Sequence, residues 1–191
     1  VSLNLVNGHT GQFSLGHAGF MSVGAYLSAA CTVFLGPRLF GTDPGLFAQN
    51  LLFFGALLAG GLSAAFTGLL VGIPSLRLKG DYLALVTLGF GEIIRVIFQN
   101  TNALGGALGF NGVPAYTTFG WTYAWVAVTV FTVSCLVNST YGRGFLATHD
   151  DEIAAESVGL PTTRYKITAF TIGAFFAGVA GGLFAHLKLS I

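Results

Sequence analysis

Residues 141–166 read YGRGFLATHDDEIAAESVGLPTTRYK, and no other part of the chain has this composition. The stretch holds four of the seven acidic residues and three of the eight Lys and Arg residues. These charged residues are Arg143, Asp150, Asp151, Glu152, Glu156, Arg164 and Lys166. Long apolar runs lie on both sides of it. The stretch is therefore a charged, water-facing segment between two hydrophobic segments.

The first half of this stretch carries the signals of a helix start. Thr148 is a candidate N-cap with Asp151 three residues later. The acidic residues at 150–152 then fall in a first turn, where the helix dipole favours negative charge. Ala154 and Ala155 are good helix formers. The sequence predicts a helix that begins directly after Thr148.

The second half carries the signals of a helix end and of a new helix. Gly159 can adopt the left-handed conformation that ends a helix, and Pro161 cannot continue one, so the first helix lasts about three turns. Thr162 or Thr163 can cap a second helix, which is apolar over residues 167–187. We predict a short surface helix, a tight Gly-Pro turn and a membrane span.

The composition is that of an integral membrane protein. Hydrophobic residues make up 53% of the chain and charged residues 8%, whereas soluble domains carry roughly 25% charged residues. The uncharged runs are residues 1–37, 44–76, 96–142 and 167–187. Each exceeds the roughly 20 residues that a spanning helix needs, and none alternates as barrel strands do. We expect an all-α, polytopic transmembrane bundle of about five spans, at residues 15–35, 49–74, 82–99, 121–137 and 167–187.

Small residues recur at every fourth position in two of these spans. The second span has Ala56, Gly60, Ala64, Gly68 and Gly72, and the last has Gly173, Ala177, Gly181 and Ala185 beside Ala174, Gly178 and Gly182. Lipid tails are as apolar as Leu, so helices associate in membranes through close backbone approach. These stripes are predicted packing faces, either within this chain or toward a second subunit.

Three separated segments carry the pattern of one known family. Residues 3–30 read LNLVNGHTGQFSLGHAGFMSVGAYLSAA, residues 87–95 read TLGFGEIIR, and residues 150–187 read DDEIAAESVGLPTTRYKITAFTIGAFFAGVAGGLFAHL. They resemble, in this order, the M-type permeases of ATP-binding cassette (ABC) importers for branched-chain amino acids. Ala154-Ala155-x-x-x-Gly159 is similar to the core of the EAA loop, the cytoplasmic coupling helix of such permeases. One departure is that Ile153 directly precedes the alanines, whereas the acid is Glu152.

The resemblance implies a membrane-spanning permease subunit of an ATP-driven importer in a bacterial or archaeal plasma membrane. Residues 1–191 are then one permease domain, truncated at both ends, and residues 143–166 are its cytoplasmic coupling loop. The cargo is a branched-chain or related amino acid, urea or another small polar solute. The implied partners are ABC ATPase subunits, a second permease subunit, a periplasmic or extracellular solute-binding protein and membrane lipid. The residues implied in coupling are Asp151, Glu152, Ile153, Ala154, Ala155, Glu156 and Gly159.

Residues 7–16, NGHTGQFSLG, are too polar and glycine-rich for a plain spanning helix. We expect a break or re-entrant turn here, which is tolerated at membrane depth only where protein buries it or it lines a wet cavity. Gln12 and Ser14 are therefore candidates for a pathway wall or a subunit contact. An ordinary interfacial turn is the alternative. His9 and His17 have no nearby carboxylate or Cys to complete a metal site.

Glu92 and Arg95 are charged residues within the hydrophobic stretch 82–99. Glu92 lies about 15 Å into a helix that starts at residue 82, near the membrane midplane, and Arg95 can pair with it one turn later. A carboxylate at this depth faces a cavity or a partner. Both residues are candidates for the pathway or a subunit contact, and a purely structural ion pair is the alternative. Gly89 and Gly91 permit a broken helix.

The positive-inside rule fixes the number of crossings between two basic loops. Arg77 and Lys79 lie in one loop, and the charged stretch at 141–166 forms the other. Both belong on the cytoplasmic side, which requires two crossings between them, at residues 82–99 and 121–137. Residues 101–120 then form an outer loop or interfacial segment, followed by an aromatic belt of Trp121, Tyr123 and Trp125.

Several other functions are excluded or disfavoured. No GxxxxGK[ST] motif occurs, so we expect a transport subunit without its own ATPase site, not an enzyme, and without a cofactor. A net charge of +1 provides no basic stripe for nucleic acid. Cys31 and Cys135 lack metal or redox spacing and are expected to be buried free thiols.

Two rival classes fit less well. A secondary transporter or channel requires inverted repeats with paired broken helices and relay groups, and the chain shows no clear internal repeat. A membrane enzyme would use His149 and the acids near it as a metal cluster. A solvated helix start that matches the helix dipole explains the same acids more simply.

Overall fold

The computed structural model describes residues 1–36, 45–76, 81–101 and 104–191. Its α-helices are α1 (Ser2–Asn4), α2 (His17–Ala30), α3 (Leu46–Ser75), α4 (Asp81–Asn100), α5 (Phe119–Val137), α6 (Thr140–Asp150), α7 (Glu152–Ser157) and α8 (Thr162–Lys188). The π-helical segments Leu5–His9 and Cys31–Leu35 extend α1 and α2, and Gly106–Leu108 forms a 3-10 turn. An isolated β-bridge joins Asn111 and Ser190, and the described residues contain no β-strand.

Five helices among the described residues are long and apolar enough to cross a membrane. They are His17–Leu35, Leu46–Ser75, Tyr82–Asn100, Phe119–Val137 and Thr162–Lys188. The predicted all-α bundle of about five spans is therefore confirmed, with boundaries that agree to within a few residues, apart from an earlier start of the last helix.

The last span, α8, forms the centre of the bundle between α2 and α3. A Cβ on Gly24 of α2 would collide with the backbone of Gly178, and a Cβ on Gly68 of α3 would lie 2.6 Å from that of Ala174. These close approaches require glycine. The two predicted small-residue stripes therefore pack within this chain, as expected where helices cannot gain from burying apolar surface away from water.

Paired contacts establish the direction of each span. Pairs whose residue numbers rise together show that α2, α4 and α8 are parallel. These pairs are His17 with Gly173, Gly24 with Gly178, Thr32 with His186, Gly19 with Gly91 and Tyr26 with Phe98. Pairs whose numbers run oppositely show that α3 and α5 are antiparallel to α8. These pairs are Phe53 with His186, Gly72 with Phe170, Trp125 with Val179 and Val133 with Ala169.

The starts of α4 and α8 consequently lie at the same end of the bundle. The positive-inside rule predicts that this end faces the cytoplasm. The two spanning helices predicted between the basic loops are present, at Tyr82–Asn100 and Phe119–Val137. Arg77 and Lys79 themselves lie outside the described residues.

At the opposite end, residues 104–118 run across the bundle and pair with the end of the chain. Phe110 N donates to Ile191 O over 3.0 Å, and Ile191 N donates to Phe110 O over 3.1 Å. Tyr123 is exposed, as expected of an aromatic belt, whereas Trp125 is turned into the core. The predicted outer segment is thus attached to the bundle by backbone hydrogen bonds.

The structure departs from two local expectations. The broken helix that Gly89 and Gly91 permit does not form, since α4 is continuous through both; Gly91 lies close to α2, and Gly89 faces open space. The two thiols are free, but they are not fully buried as expected. Cys135 is exposed and Cys31 is partly buried, because the neighbouring helices do not cover these side chains completely.

Candidate functional site

The charged stretch folds at the predicted cytoplasmic end as α6 and α7, with the break between them at Asp151. The Asp151 Oδ1 atom accepts hydrogen bonds from Ile153 N at 2.9 Å and Ala154 N at 3.0 Å, so Asp151 is the N-cap of α7. Thr148, the predicted cap, lies inside α6, and its Oγ1 donates to Gly144 O at 2.8 Å. That prediction is wrong because the chain is already helical before Thr148.

The end of α7 is a left-handed glycine turn, as predicted. Gly159 has a φ of 85°, and its N–H donates to Glu156 O at 2.9 Å, while Leu160 N donates to Ala155 O at 3.1 Å. This pair of hydrogen bonds is the Schellman motif. Since Asp151 starts the helix late and Gly159 ends it, α7 has six residues and is shorter than the predicted three turns.

Side chains as well as backbone bridge the turn between α7 and α8. The Thr162 Oγ1 atom donates to Glu156 Oε1 at 2.8 Å. The prediction that Thr162 or Thr163 caps α8 is wrong, because Pro161 is the N-cap and no side chain caps it. The Thr162 hydroxyl instead contacts the preceding helix.

A second contact across the same turn is an ion pair. The Lys166 Nζ atom lies 2.7 Å from Glu152 Oε1, and the Lys166 and Glu152 side chains are 7% and 24% exposed. Lys166 lies in the second turn of α8. The first and fifth residues of α7 are thus both attached to the base of the last span.

Helix α6 fixes the other side of this unit. Phe145 is fully buried and packs edge to face on Tyr165 of α8, with ring centroids 6.0 Å apart. It clusters with Val133 of α5 and Ala169 of α8. A Cβ on Gly144 would collide with the Tyr165 ring. Residues 140–166, called the cytoplasmic unit after their predicted location, are therefore packed against two spans.

Two apolar side chains, one in α7 and one directly after it, are exposed. Ile153 is 73% exposed and Val158 is 77% exposed. Ala154 and Glu156 are exposed as well, whereas Ala155 is buried against the bundle. Of the predicted coupling residues, Ile153 and Ala154 face outward, while Glu152 and Ala155 face the chain itself.

Residues 10–16 form the predicted break between α1 and α2. Burial alternates along it, since Gln12 and Ser14 are buried whereas Phe13 and Leu15 are exposed, which is the pattern of an extended segment. Leu15 N donates to Thr87 Oγ1 of α4 at 3.2 Å. This hydrogen bond places part of the irregular backbone beside a spanning helix.

The Gln12 amide and the Ser14 hydroxyl have no hydrogen-bond partner among the described residues. A buried polar group without a partner costs about 1–3 kcal/mol. Native structures contain few such groups, and they call for a specific explanation such as bound water, an ion or a functional role.

Glu92 and Arg95 form the predicted ion pair, at 3.5 Å between Glu92 Oε2 and Arg95 Nη1. Their side chains are 61% and 65% exposed, so they lie on the outer surface of α4. Gln12 and Ser14, by contrast, are buried. The four membrane residues singled out in the sequence therefore form two separate sites.

The sequence reasoning did not find three residues of the cytoplasmic unit. Val158 was detectable as an isolated apolar residue beside the Gly159 turn, and Lys166 as a single cation at the start of an apolar run. The Thr162 contact with Glu156 depends on the turn geometry and leaves no signal in the sequence.

The acids near His149 do not form a metal cluster. Within residues 1–36, 45–76, 81–101 and 104–191, no group of three or more His, Cys, Asp or Glu side chains is placed to hold a metal ion. His149 Nδ1 instead lies 3.3 Å from Asp150 Oδ1.

A bundle of spanning helices with short helices attached at one end defines a polytopic α-helical membrane protein. Residues 1–188 match the family described as branched-chain amino acid transport system, permease component. The chain belongs to this family. The family and the apolar helices together identify a multi-pass protein of the plasma membrane.

The chain is 37% identical to the high-affinity branched-chain amino acid transport system permease protein LivM of Salmonella typhimurium and to that of Escherichia coli, over 97% of this chain and 48% of each relative. It is 27% identical to a probable branched-chain amino acid transport permease protein LivM of Methanocaldococcus jannaschii, over 100% of this chain and 64% of the relative. The chain spans about half the length of the first two relatives. No solved structure matches it significantly.

Proposed function

We propose that this chain belongs to the membrane-spanning permease subunit of an ABC importer, which forms the translocation path for branched-chain or related amino acids and couples it to ATPase subunits. The observation that carries this proposal is the exposure of two apolar side chains, Ile153 of α7 and Val158 directly after it, at the predicted cytoplasmic end. Apolar side chains exposed on a short helix and on the turn that ends it suit contact with a groove of a partner protein. The names of the relatives favour branched-chain amino acids over urea or another small polar solute.

The partner at α7 is proposed to be a pair of ABC ATPase subunits. The sequence contains no phosphate-binding GxxxxGK[ST] loop, so energy would come from a partner or an ion gradient, and the family favours an ATPase partner. The chain then acts as a transport subunit and not as an enzyme. A solute-binding protein would dock at the opposite end, where residues 104–118 cross the bundle.

ATPase closure would be transmitted through α7 to α8. Helix α7 is attached to α8 by the Glu152–Lys166 and Glu156–Thr162 contacts, and α8 packs through glycines on α2 and α3. Movement of α7 would therefore tilt α8, the central helix of the bundle, as a rigid body.

Gln12 and Ser14 are proposed as part of the pathway wall. Their unpartnered polar groups and the irregular backbone around them support this role, since irregular backbone at membrane depth is tolerated where it is protein-buried or lines a wet cavity. In the conformation described here both side chains are covered. Movement of the segment would expose them to a passing polar solute.

Glu92 and Arg95 are proposed to contact the second permease subunit. Insertion of a charged side chain at mid-membrane depth costs about 2.5–3.5 kcal/mol on translocon scales, so an exposed pair on α4 calls for a protein cover. The exposed residues of α5, such as Val126 and Phe131, are apolar and suit lipid. The surface of α4 thus suits contact with another protein subunit, whereas that of α5 suits contact with lipid.

Purification of the full-length protein from its native membrane tests the proposal. We expect an ATPase pair and a second permease to co-purify, and the complex to require ATP and its binding protein for leucine uptake into proteoliposomes. Uptake without any ATPase, or labelling of an Asp151→Cys variant only from the outer side, would contradict it. Val158→Asp should lower the retained ATPase about tenfold, equivalent to 1.4 kcal/mol, whereas Val158→Ile should retain it.

A further inference from the structure

Glu152 and Lys166 are the most closely paired charges in the cytoplasmic unit. The Lys166 Nζ to Glu152 Oε1 distance is 2.7 Å, and Lys166 is almost completely buried. The residues between them include the left-handed Gly159 and Pro161. The ion pair therefore adds a side-chain link between α7 and α8, in addition to the short backbone turn at residues 158–161.

We propose that Lys166 and Glu152 are positioning residues that lock α7 to α8, so that displacement of α7 moves the last span with it. This inference rests on the proposed coupling function of α7. It also assigns Glu152 to an internal contact and removes it from the surface offered to the ATPase. That surface is then formed by Ile153, Val158 and the exposed groups near them.

Helical geometry explains why Glu152 and Ile153 have different roles. Successive residues of an α-helix are rotated by about 100°, since a turn has 3.6 residues. Glu152 therefore points toward α8, whereas the neighbouring Ile153 points away from the bundle. Glu152, one residue before Ile153, therefore makes its contact within this chain.

The lock has two points of attachment. Thr162 Oγ1 donates to Glu156 Oε1 at 2.8 Å, close to the turn, and Lys166 pairs with Glu152 one helical turn further from it. A single contact would leave α7 able to pivot about that point. Two contacts on successive turns restrict the pivot, so that α7 and the base of α8 move as one body.

Because the ion pair is largely buried, Glu152 and Lys166 depend on each other for charge compensation. Removal of one member of a buried pair leaves the other charge without compensation, which is strongly unfavourable. In the part of the chain that the structure describes, Glu152 is the carboxylate within 4.0 Å of Lys166. Loss of Glu152 therefore drives Lys166 toward water and leaves α7 attached to α8 by the Thr162–Glu156 contact, about which α7 can pivot.

The test uses the full-length permease assembled with its ATPase, second permease and binding protein in proteoliposomes. The readouts are the amount of assembled complex, the rate of ATP hydrolysis and the leucine transported per ATP hydrolysed. Glu152→Gln and Lys166→Glu should each lower transport per ATP about tenfold while hydrolysis continues, and the swapped variant Glu152→Lys/Lys166→Glu should recover most of it, as expected for directly coupled residues.

Two control variants separate the lock from a general charge effect. Arg164→Glu makes the same charge reversal as Lys166→Glu at an exposed position of α8 and should leave transport per ATP near the wild-type value. Lys166→Arg keeps the charge and should retain most coupling. If Lys166→Glu fails to assemble, Glu152→Gln and the swapped variant still decide the question.

Wild-type transport per ATP in Glu152→Gln would overturn the inference, as would a swapped variant no better than the single variants. Failure of the proposed function gives a different result, because the wild-type complex itself would then show no ATP-driven uptake. A fall in assembly alone, with unchanged transport per assembled complex, would reduce the pair to a stability role and also overturn the inference.

Discussion

Gly24 of α2 lies so close to Gly178 of α8 that a Cβ on Gly24 would collide with the Gly178 carbonyl oxygen and Cα. This contact joins two parallel spans near the centre of the bundle. Close backbone approach takes the place of a hydrophobic driving force between helices in lipid. The contact therefore holds the central helix in a position where movement of its cytoplasmic base reaches α2.

Gly24→Ala is expected to destabilise the folded chain, because the added methyl group forces the two backbones apart at a cost of about 1–3 kcal/mol. The measurement is the thermal unfolding midpoint of the purified protein in detergent. Gly55→Ala is the matched control, because no atom lies within 4 Å of a Cβ at Gly55. Equal losses of stability in both variants would refute the packing argument.

Gly159→Val is expected to uncouple ATP hydrolysis from uptake while the chain remains in the membrane. The φ of 85° costs a β-branched residue roughly 1–2 kcal/mol, and the turn would relax away from the geometry that aligns α7 with α8. No atom lies within 4 Å of a Cβ there, so crowding is not the cause. Gly159→Asn, which tolerates the left-handed conformation, should retain most uptake per ATP. Wild-type uptake in Gly159→Val would count against coupling through the turn.

Glu92→Gln is expected to reduce the amount of second permease that co-purifies with each folded chain about tenfold, or 1.4 kcal/mol. The reason is the loss of one charge from the exposed pair with Arg95. Thr132→Val is the control, because it removes an exposed hydroxyl that is already satisfied by Val128 O within α5. If partner retention is unchanged and only the stability of the chain falls, the pair is a structural one.

Ser14→Cys is expected to react with a charged thiol reagent at least about tenfold faster during ATP turnover than at rest, because the thiolate reacts only where water reaches it. The background would carry Cys31→Ala and Cys135→Ala to remove the natural thiols. Phe13→Cys, on the exposed side of the same segment, serves as the control, and its labelling rate should be the same in both states. Equal labelling of Ser14→Cys in the two states would argue against its exposure in the transport cycle.

Much of the fold was predictable because membrane spans are specified by composition. The five spans follow from apolar runs, and the packing faces follow from small residues at every fourth position. The break at residues 10–16 follows from clustered glycines and polar residues. The Gly159 turn was also predictable, since glycine is the residue best suited to the left-handed conformation. The caps were not, because Thr148, Asp151 and Thr162 are all good cap residues. Thr148 lies inside a helix that begins at Thr140, Asp151 caps the next helix, and Thr162 bonds to the Glu156 side chain instead of capping.

The sequence by itself determined that this chain has several spanning helices and a short helix within its charged stretch, and it predicts which end faces the cytosol, because hydropathy and charge act locally. Only the tertiary structure decided where each polar group points. Glu152 turns inward to Lys166 while the neighbouring Ile153 is exposed, and Glu92 lies on an outer surface while Gln12 is buried. These orientations depend on how the helices pack, and a residue's position along the chain does not specify which neighbouring helix its side chain meets.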